Sequence, residues 1–310
     1  MASDNQWDPA HLPSQTGKTF VVTGGNAGIG YFVSEQLAGA GARVVMASRS
    51  KERADVAAAS IRELVPGADI GFIRLDLSSL GSIREAAEAI RKLDRVDGLI
   101  NNAGATTGSN DRVVTEDGLE FVVGSNAFGP YALTALALPA LTAGSRVVSL
   151  GSMATRIVKL DPHNLQSANG RYNFFKAYGY SKHAMHAFAL ELQRKLEAAG
   201  SRVESLLAHP GFAVDALGAQ RAGITDNESA WKKFTDVLSG VMAQGKDRGA
   251  WPVVRAATDP NAKGGEFYGP RRSVNGTPVL VEPIASSASE EFGDEFWRQA
   301  EAATGITFQP

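Results

Sequence analysis

The chain has 310 residues, 44% of them hydrophobic, enough to bury roughly three quarters of its unfolded surface, and one α/β domain is the simplest reading. Its 31 basic and 33 acidic side chains leave a formal charge of −2 with no basic block or acidic tail, which speaks against nucleic acid or a membrane surface and for a small-molecule partner. With no cysteine, disulfides, thiolate metal sites and cysteine nucleophiles are excluded, and a reducing, cytoplasmic location fits. Residues 1–16 read as a polar extension carrying Asp4, Asp8 and Pro13, without the basic and apolar regions of a signal peptide. No window is expected to reach the roughly 20 apolar residues of a membrane span.

Lys18 to Thr23 is a short apolar, β-branched run without alternation, as in a strand buried on both faces of a parallel sheet. It runs into Gly24-Gly25-Asn26-Ala27-Gly28-Ile29-Gly30, after which apolar residues recur at helical spacing through Val33 and Leu37. A glycine turn between strand and helix lets the backbone approach a pyrophosphate and aims amides at it. A second strand, Ala42 to Ala47, ends at Ser48-Arg49-Ser50. An acidic residue there would bind the ribose hydroxyls of NAD; none is present, and Arg49 offers a forked cation for a 2′-phosphate, so NADP(H) is preferred over NAD(H). A helix from Lys51 to Leu64 is stopped by Pro66-Gly67, and a third strand from Ile70 ends in Asp76-Leu77, where Asp76 could cap the helix starting near Ser79. The fourth strand, Val96 to Ile100, leads into Asn101-Asn102-Ala103-Gly104; Thr115 then opens a long helix through Asn126, a polar residue in an apolar, small-residue segment.

Arg146 to Leu150 is the fifth strand, closed by Gly151-Ser152. Tyr178 and Lys182 stand at i and i+4 on a helix that continues to Ala199, so both reach one small molecule. An ammonium beside a phenol favours the phenolate and lowers its pKa, making Tyr178 a candidate general acid/base. Ala184, Phe188, Leu192 and Leu196 form a packing stripe further along, with His183 and His186 on its rim as structural residues and no metal site assigned. The sixth strand, Val203 to Leu207, ends at His209-Pro210-Gly211, with His209 read as structural. Residues 212–249, with Trp231, Phe234, Val237, Leu238 and Met242 at helical spacing, read as a small helical substrate lid. Gly264 to Gly269 is the last edge strand, and residues 271–310 form a tail whose short helix carries Phe292, Phe296 and Trp297.

The glycine turn, Asn-Asn-Ala-Gly, Ser152 and the Tyr178/Lys182 pair, in that order over about residues 17 to 270, resemble the short-chain dehydrogenase/reductase family. The resemblance implies a Rossmann-type doubly wound parallel sheet of about seven strands with helices on both faces. Gly24, Asn26, Gly28, Ile29 and Gly30 would hold the cofactor diphosphate, while Ser48 occupies the place of the Asp found in NAD-specific members. Asp76 and Leu77 would flank the adenine, Asn102, Ala103 and Gly104 the cofactor, and Pro210-Gly211 the nicotinamide. The implied catalytic set is Asn126, Ser152, Tyr178 and Lys182: Ser152 and Tyr178 hold the substrate oxygen, Lys182 holds the nicotinamide ribose, and Asn126 holds a kink and a water leading from the lysine to solvent. Gly151 departs from the Ser-Ser usual at this strand end.

The stretch between Ser152 and Tyr178 is about twice the length expected of compact members, which resembles the retinol dehydrogenase-like branch and its bacterial relatives. Light-dependent protochlorophyllide reductases share that outline but rely on a cysteine. The expected activity is NADP(H)-dependent interconversion of a carbonyl and an alcohol on a bulky hydrophobic substrate; the alternative is an NADP(H)-binding sensor without catalysis. Substrate identity and direction stay open, and the apolar stripe allows a homodimer.

Overall fold

A computed structural model describes residues 7–225 and 243–309. Its strands are β1 Thr19–Thr23, β2 Arg43–Ser48, β3 Ile70–Arg74, β4 Val96–Asn101, β5 Leu141–Leu150, β6 Glu204–Ala208, β7 Ala213–Val214, β8 Gln244–Gly245, β9 Phe267–Pro270 and β10 Pro278–Leu280. The helices are α1 Gly28–Gly39, α2 Lys51–Leu64, α3 Leu80–Arg91, α4 Phe121–Val123, α5 Gly129–Ala137, α6 Phe174–Ala198, α7 Lys246–Gly249, α8 Trp251–Thr258, α9 Ala285–Ala288 and α10 Glu290–Thr304. The main sheet runs β10-β9-β6-β5-β4-β1-β2-β3, parallel throughout except for β10 against β9. Its order reverses between β1 and β4, so the turns leaving their C-terminal ends open the crevice in which a doubly wound sheet binds its ligand.

Burial follows from this topology. All five residues of β1 are buried because helices cover both faces. One face carries Phe20, Tyr31, Phe32, Leu37 and Met46 with α1 and α8; the other carries Phe128, Tyr131, Phe188, Phe296 and Trp297 with α3, α5, α6 and α10. Side chains close the helix starts: Ser50 accepts from the Arg53 amide, Ser79 from Ser82, and Asn173 from Lys176.

Several expectations are corrected. Among the described residues the sheet has eight strands, the eighth formed where the chain returns antiparallel after β9, and the glycines at 264 and 265 precede β9 rather than opening it. Strand β5 begins at Leu141, pairing with Val96 before a register shift, so five residues before Arg146 also belong to it. Thr115 does not open a helix: residues 114 to 120 make a turn closed by a bridge between Val114 and Glu120, and the helix starts at Phe121 because the buried Glu120 carboxylate caps the amides of Val122 and Val123. Asp76 does not cap α3; Ser79 does, while Asp76 accepts from the amide and hydroxyl of Ser78.

The run Phe121–Ala140 is, against the sequence reading, long and apolar enough by length and composition to cross a membrane, but 78% of its apolar window is buried in the fold. The C-terminal helix is no short appendage. It has 15 residues and lays Phe292, Phe296 and Trp297 over the α6 stripe that the sequence offered for dimerisation. The aromatic residues read as lid, Trp231, Phe234, Val237, Leu238 and Met242, lie outside the described residues.

Candidate active site

The glycine turn is held open by close backbone approach. A Cβ on Gly30 would stand 2.3 Å from the Gly24 carbonyl and 2.4 Å from Asn102 Nδ2, and Gly24 and Gly28 have φ of +65° and +54°, where a side chain strains the backbone. Helix α1 begins here with no side-chain cap from Ala27 and no acidic residue in its first turn, so its leading amides suit an anion. Asn26 and Ile29 lie on this turn, half-buried. Asn102 is locked to β1: its Nδ2 donates to Thr23 O at 2.8 Å, and the amides of Asn102 and Ala103 donate to Thr23 Oγ1 at 3.0 and 2.9 Å. Thr23, which the sequence reading passed over, thus fixes the Asn102-Ala103-Gly104 turn against the glycine turn.

At the end of β2, Ser48 is buried and Arg49 is exposed, and among the described residues the Arg49 guanidinium has no hydrogen-bonded or ionic partner. Asp76 is half-buried and Leu77 buried beyond β3. These placements form one rim along the C-terminal ends of β1, β2, β3 and β4. The residues present therefore fit a dinucleotide: a diphosphate cradle that side chains would fill, and a free guanidinium at the end of β2.

Asn126 lies in a single π turn, Gly124–Phe128, between α4 and α5. Such a wide turn displaces the helix by one residue and is frequent at functional sites. The Asn126 amide accepts from the Ala105 amide at 2.6 Å and donates to the Ala105 carbonyl at 3.0 Å and to Ser181 Oγ at 3.1 Å. Ser181 in turn donates to the Tyr178 carbonyl at 2.7 Å. Asn126 therefore ties the Gly104 loop to α6 between Tyr178 and Lys182; its partner is Ser181 rather than Lys182 itself.

Ser152 stands just past β5, half-buried and extended, its Oγ accepting from the Ala154 amide at 3.1 Å. Tyr178 lies near the start of α6, stacked on Phe174 at 6.5 Å between ring centroids. Burial pushes the Tyr178 phenol up, and its hydrogen-bonding contact with the Ser152 hydroxyl acts in the opposite direction. The net direction is opposite to the lowering expected from a neighbouring ammonium, because burial dominates; Lys182 Nζ sits 5.7 Å from the Tyr178 ring centroid and donates to the Leu150 carbonyl at 2.8 Å. Lys182 is 5% exposed, and burial brings its ammonium down to about 8.

His183 and His186 are not on a rim but fully buried, because α6 is enclosed by the sheet, the 153–173 stretch and α9. His183 bridges the Ser287 hydroxyl and the Val158 carbonyl at 2.7 and 2.8 Å. His186 Nε2 accepts from the Ser152 amide at 3.4 Å, and burial, with neighbouring cationic groups, holds its pKa well below the ordinary range, so it is neutral. A Cβ on Gly151 would stand 2.4 Å from His186 Nε2. The departure from Ser-Ser thus has a steric cause: the imidazole occupies the space of a first serine. His209, brought to about 4 by burial and Arg156, accepts from the Gly211 amide at 3.2 Å and supports the Pro210-Gly211 turn, in keeping with a structural role. Gly211 has φ +67°, and a Cβ there would meet the Val274 carbonyl at 2.2 Å.

The long stretch before Tyr178 is anchored rather than loose. Tyr172 OH donates to Glu120 Oε1 at 2.9 Å, Gln166 Oε1 accepts from the Glu120 amide at 3.1 Å, and Gln299 Nε2 donates to the Pro162 carbonyl at 2.8 Å. An open groove of about 700 Å³ lies along Ile157, Leu160, Pro162, Phe175 and Lys176; neither Ser152 nor Tyr178 lines it. Among the described residues eight large hydrophobic side chains are exposed, and five of them (Val113, Val114, Ile157, Phe175 and Phe212) lie on segments that leave the C-terminal ends of β4, β5 and β6. Most of the exposed large hydrophobic side chains among the described residues thus belong to segments that follow these three strands.

Comparison with known proteins agrees with this geometry. The sequence pattern of a family described as short chain dehydrogenase matches residues 18–221. The chain is 35% identical over 306 residues to polyprenol dehydrogenase of Mus musculus, covering 96% of this chain and 87% of that protein. It is 40% identical over 205 residues to retinol dehydrogenase 13 of Homo sapiens, covering 65% of this chain and 61% of that protein. Among solved structures, an uncharacterised protein from Mycobacterium paratuberculosis superposes with a TM-score of 0.80 at 32% identity, covering 98% of this chain and 99% of that one. RhlG of Pseudomonas aeruginosa, solved as an active-site complex with NADP, has a TM-score of 0.61 at 26% identity over 82% of this chain and 94% of that one.

Proposed function

The chain belongs to the short-chain dehydrogenase/reductase family, in its retinol dehydrogenase-like branch, and from that premise we propose that it interconverts a carbonyl and an alcohol with NADP(H) on a bulky hydrophobic substrate. The observation that carries this reading is the constellation at the end of β5: the Ser152 hydroxyl in contact with the Tyr178 phenol, and Lys182 one turn further along the same helix. Gly24, Gly28 and Gly30 would hold the nicotinamide cofactor, which would supply or accept the hydride that no protein side chain provides. Ser152 Oγ and Tyr178 OH orient the substrate oxygen. Because burial keeps the phenol protonated at neutral pH, Tyr178 is ready to donate a proton in the reductive direction and to take one back in the oxidative direction. Lys182, kept near its own titration range and close to Tyr178, stabilises the phenolate left behind and would hold the nicotinamide ribose. Asn126 and Ser181 fix the turn of α6 that carries both groups.

The preference for NADP(H) rests on the exposed Arg49 beside Ser48 at the end of β2, which among the described residues has no partner, and on Ser48 standing where an acidic residue would repel a 2′-phosphate. The substrate class rests on the apolar side chains gathered on segments leaving β4, β5 and β6, and agrees with the polyprenol and retinol named for its relatives. The test follows NADPH and NADH consumption with bulky ketones and aldehydes, with Tyr178→Phe as control. The expected result is turnover with NADPH, weaker turnover with NADH, and loss of orders of magnitude in kcat for the variant with nearly unchanged NADPH affinity. A Tyr178→Phe enzyme as active as the wild type would refute the assignment of the proton donor.

A further inference from the structure

We infer that Lys246 is a cofactor-binding residue of this chain: its ammonium, held by Asp215 in this structure, transfers to the diphosphate of the nicotinamide dinucleotide at the Gly24–Gly30 turn. The inference rests on the dinucleotide reading above and adds a group that no motif in the sequence identifies. Gly28 is the outward-facing glycine of that turn. A Cβ built there would meet Lys246 Nζ at 3.9 Å and Lys246 Cδ at 4.0 Å, and among the described residues it would meet nothing else within 4 Å. The side chain that lies over the diphosphate cradle is thus a cation, at the start of a helix whose own first turn supplies no capping side chain.

Lys246 is brought there by tertiary contacts. Strand β8 pairs in parallel with β7, and Gln244 Nε2 donates to the Pro210 carbonyl at 2.8 Å, so the segment is pinned to the turn after β6. On the other side Gln36 Nε2, from α1, donates to the Asp247 carbonyl at 2.8 Å. The backbone at Lys246 is therefore fixed between the two elements that flank the cofactor crevice, while its four-carbon stem can turn. Its ammonium forms an ion pair with Asp215, which sits directly after β7; the two side chains are 25% and 12% exposed.

This pair has an electrostatic consequence. A diphosphate entering beside Asp215 would meet a like charge in a partly desolvated place, and Lys246 offsets it. Asp215 in turn competes with the diphosphate for the ammonium. The two residues therefore act on cofactor affinity with opposite signs, although they form one ion pair.

That opposition is the test. NADPH binding is titrated by its own fluorescence and by calorimetry for the wild type, Lys246→Met, Asp215→Asn and the double variant, with 2′-AMP, which has no diphosphate, as a second probe. Loss of one charge-assisted hydrogen bond predicts a Kd for NADPH raised about tenfold or more in Lys246→Met. Asp215→Asn is expected to lower that Kd, and both variants to bind 2′-AMP as the wild type does. If the pair only holds β7 and β8 together, both single variants melt earlier and weaken NADPH binding together, and that outcome overturns the inference. So does a Lys246→Met chain that binds NADPH within twofold of the wild type. A wild-type chain that binds neither NADPH nor NADH overturns the cofactor reading itself, and this inference with it.

Discussion

Burying Lys182 destabilises the folded chain, and the size of that effect can be read from pH. Its ammonium, which ordinarily titrates at 10.5, is brought to about 8 because burial strips it of water, although it still donates to the Leu150 carbonyl. That depression corresponds to about 3 kcal/mol of stability lost at neutral pH. Between about pH 8 and about pH 10.5 the unfolded chain keeps this proton while the folded chain has released it. The unfolded state then binds more protons, so folding stability rises with pH across that window and the loss is recovered at its upper end. The measurement is urea unfolding from about pH 7 to about pH 10.5 for the wild type and Lys182→Met, whose difference removes the titration of all other groups. Methionine leaves the Leu150 carbonyl without its donor, at roughly 1–3 kcal/mol, but that offset does not vary with pH. The wild-type stability minus that of the variant should climb by about 3 kcal/mol over the window. Parallel pH profiles for the two proteins would refute the claim that this lysine is buried as a strained cation.

Three further outcomes follow from particular contacts. Gly151→Ala pushes a methyl against His186 Nε2, so it should destabilise the chain by about 1–3 kcal/mol and lower kcat through Ser152; adding His186→Ala should restore part of both in a double-mutant cycle, and strictly additive effects would contradict the steric account. Arg49→Glu should cut the ratio of kcat/KM for NADPH over NADH by about tenfold or more, and an unchanged ratio would remove Arg49 from cofactor choice. Phe296→Ala, at a fully buried ring stacked on Phe128 at 6.0 Å, should lower stability by about 3–5 kcal/mol in denaturant titration; a loss below about 1 kcal/mol would mean that α10 is not part of the core.

The sequence discloses what depends on local pattern and conceals what depends on distant partners. Thr19–Thr23 and the glycines after it are legible because a buried parallel strand and a strand-to-helix turn each have a composition of their own. Tyr178 and Lys182 are legible because their relation is a helical period. The π turn at Asn126 is not, since one i→i+5 step leaves no mark in residue type. His183 and His186 were misplaced because α6 is enclosed on nearly every side, so a polar residue on it does not report an exposed face. Lys246 and Asp215 are 31 residues apart, and what joins them is a two-residue strand pair that no periodicity announces.

The placement of α10 changes how the site is held. Helix α6 carries Tyr178 and Lys182 near its start and, further along, the stripe of Phe188, Leu192 and Leu196, so whatever covers the stripe also fixes the axis on which the reactive groups stand. In this chain the cover is its own C-terminal helix, with Trp297 stacked on Phe188 and Lys195 Nζ over the Trp297 ring, rather than a second copy through that face. The 153–173 stretch closes the other side of α6 through His183, and α10 reaches the same stretch through Gln299 and Pro162. Rigidity at Tyr178 therefore depends on contacts made more than 100 residues later in sequence. Phe296→Ala should consequently reduce kcat as well as stability and, by baring the stripe, shift the chain toward larger species in size-exclusion chromatography. A variant that is destabilised yet keeps full kcat and the wild-type elution volume would show that α10 stabilises the fold without steadying the site.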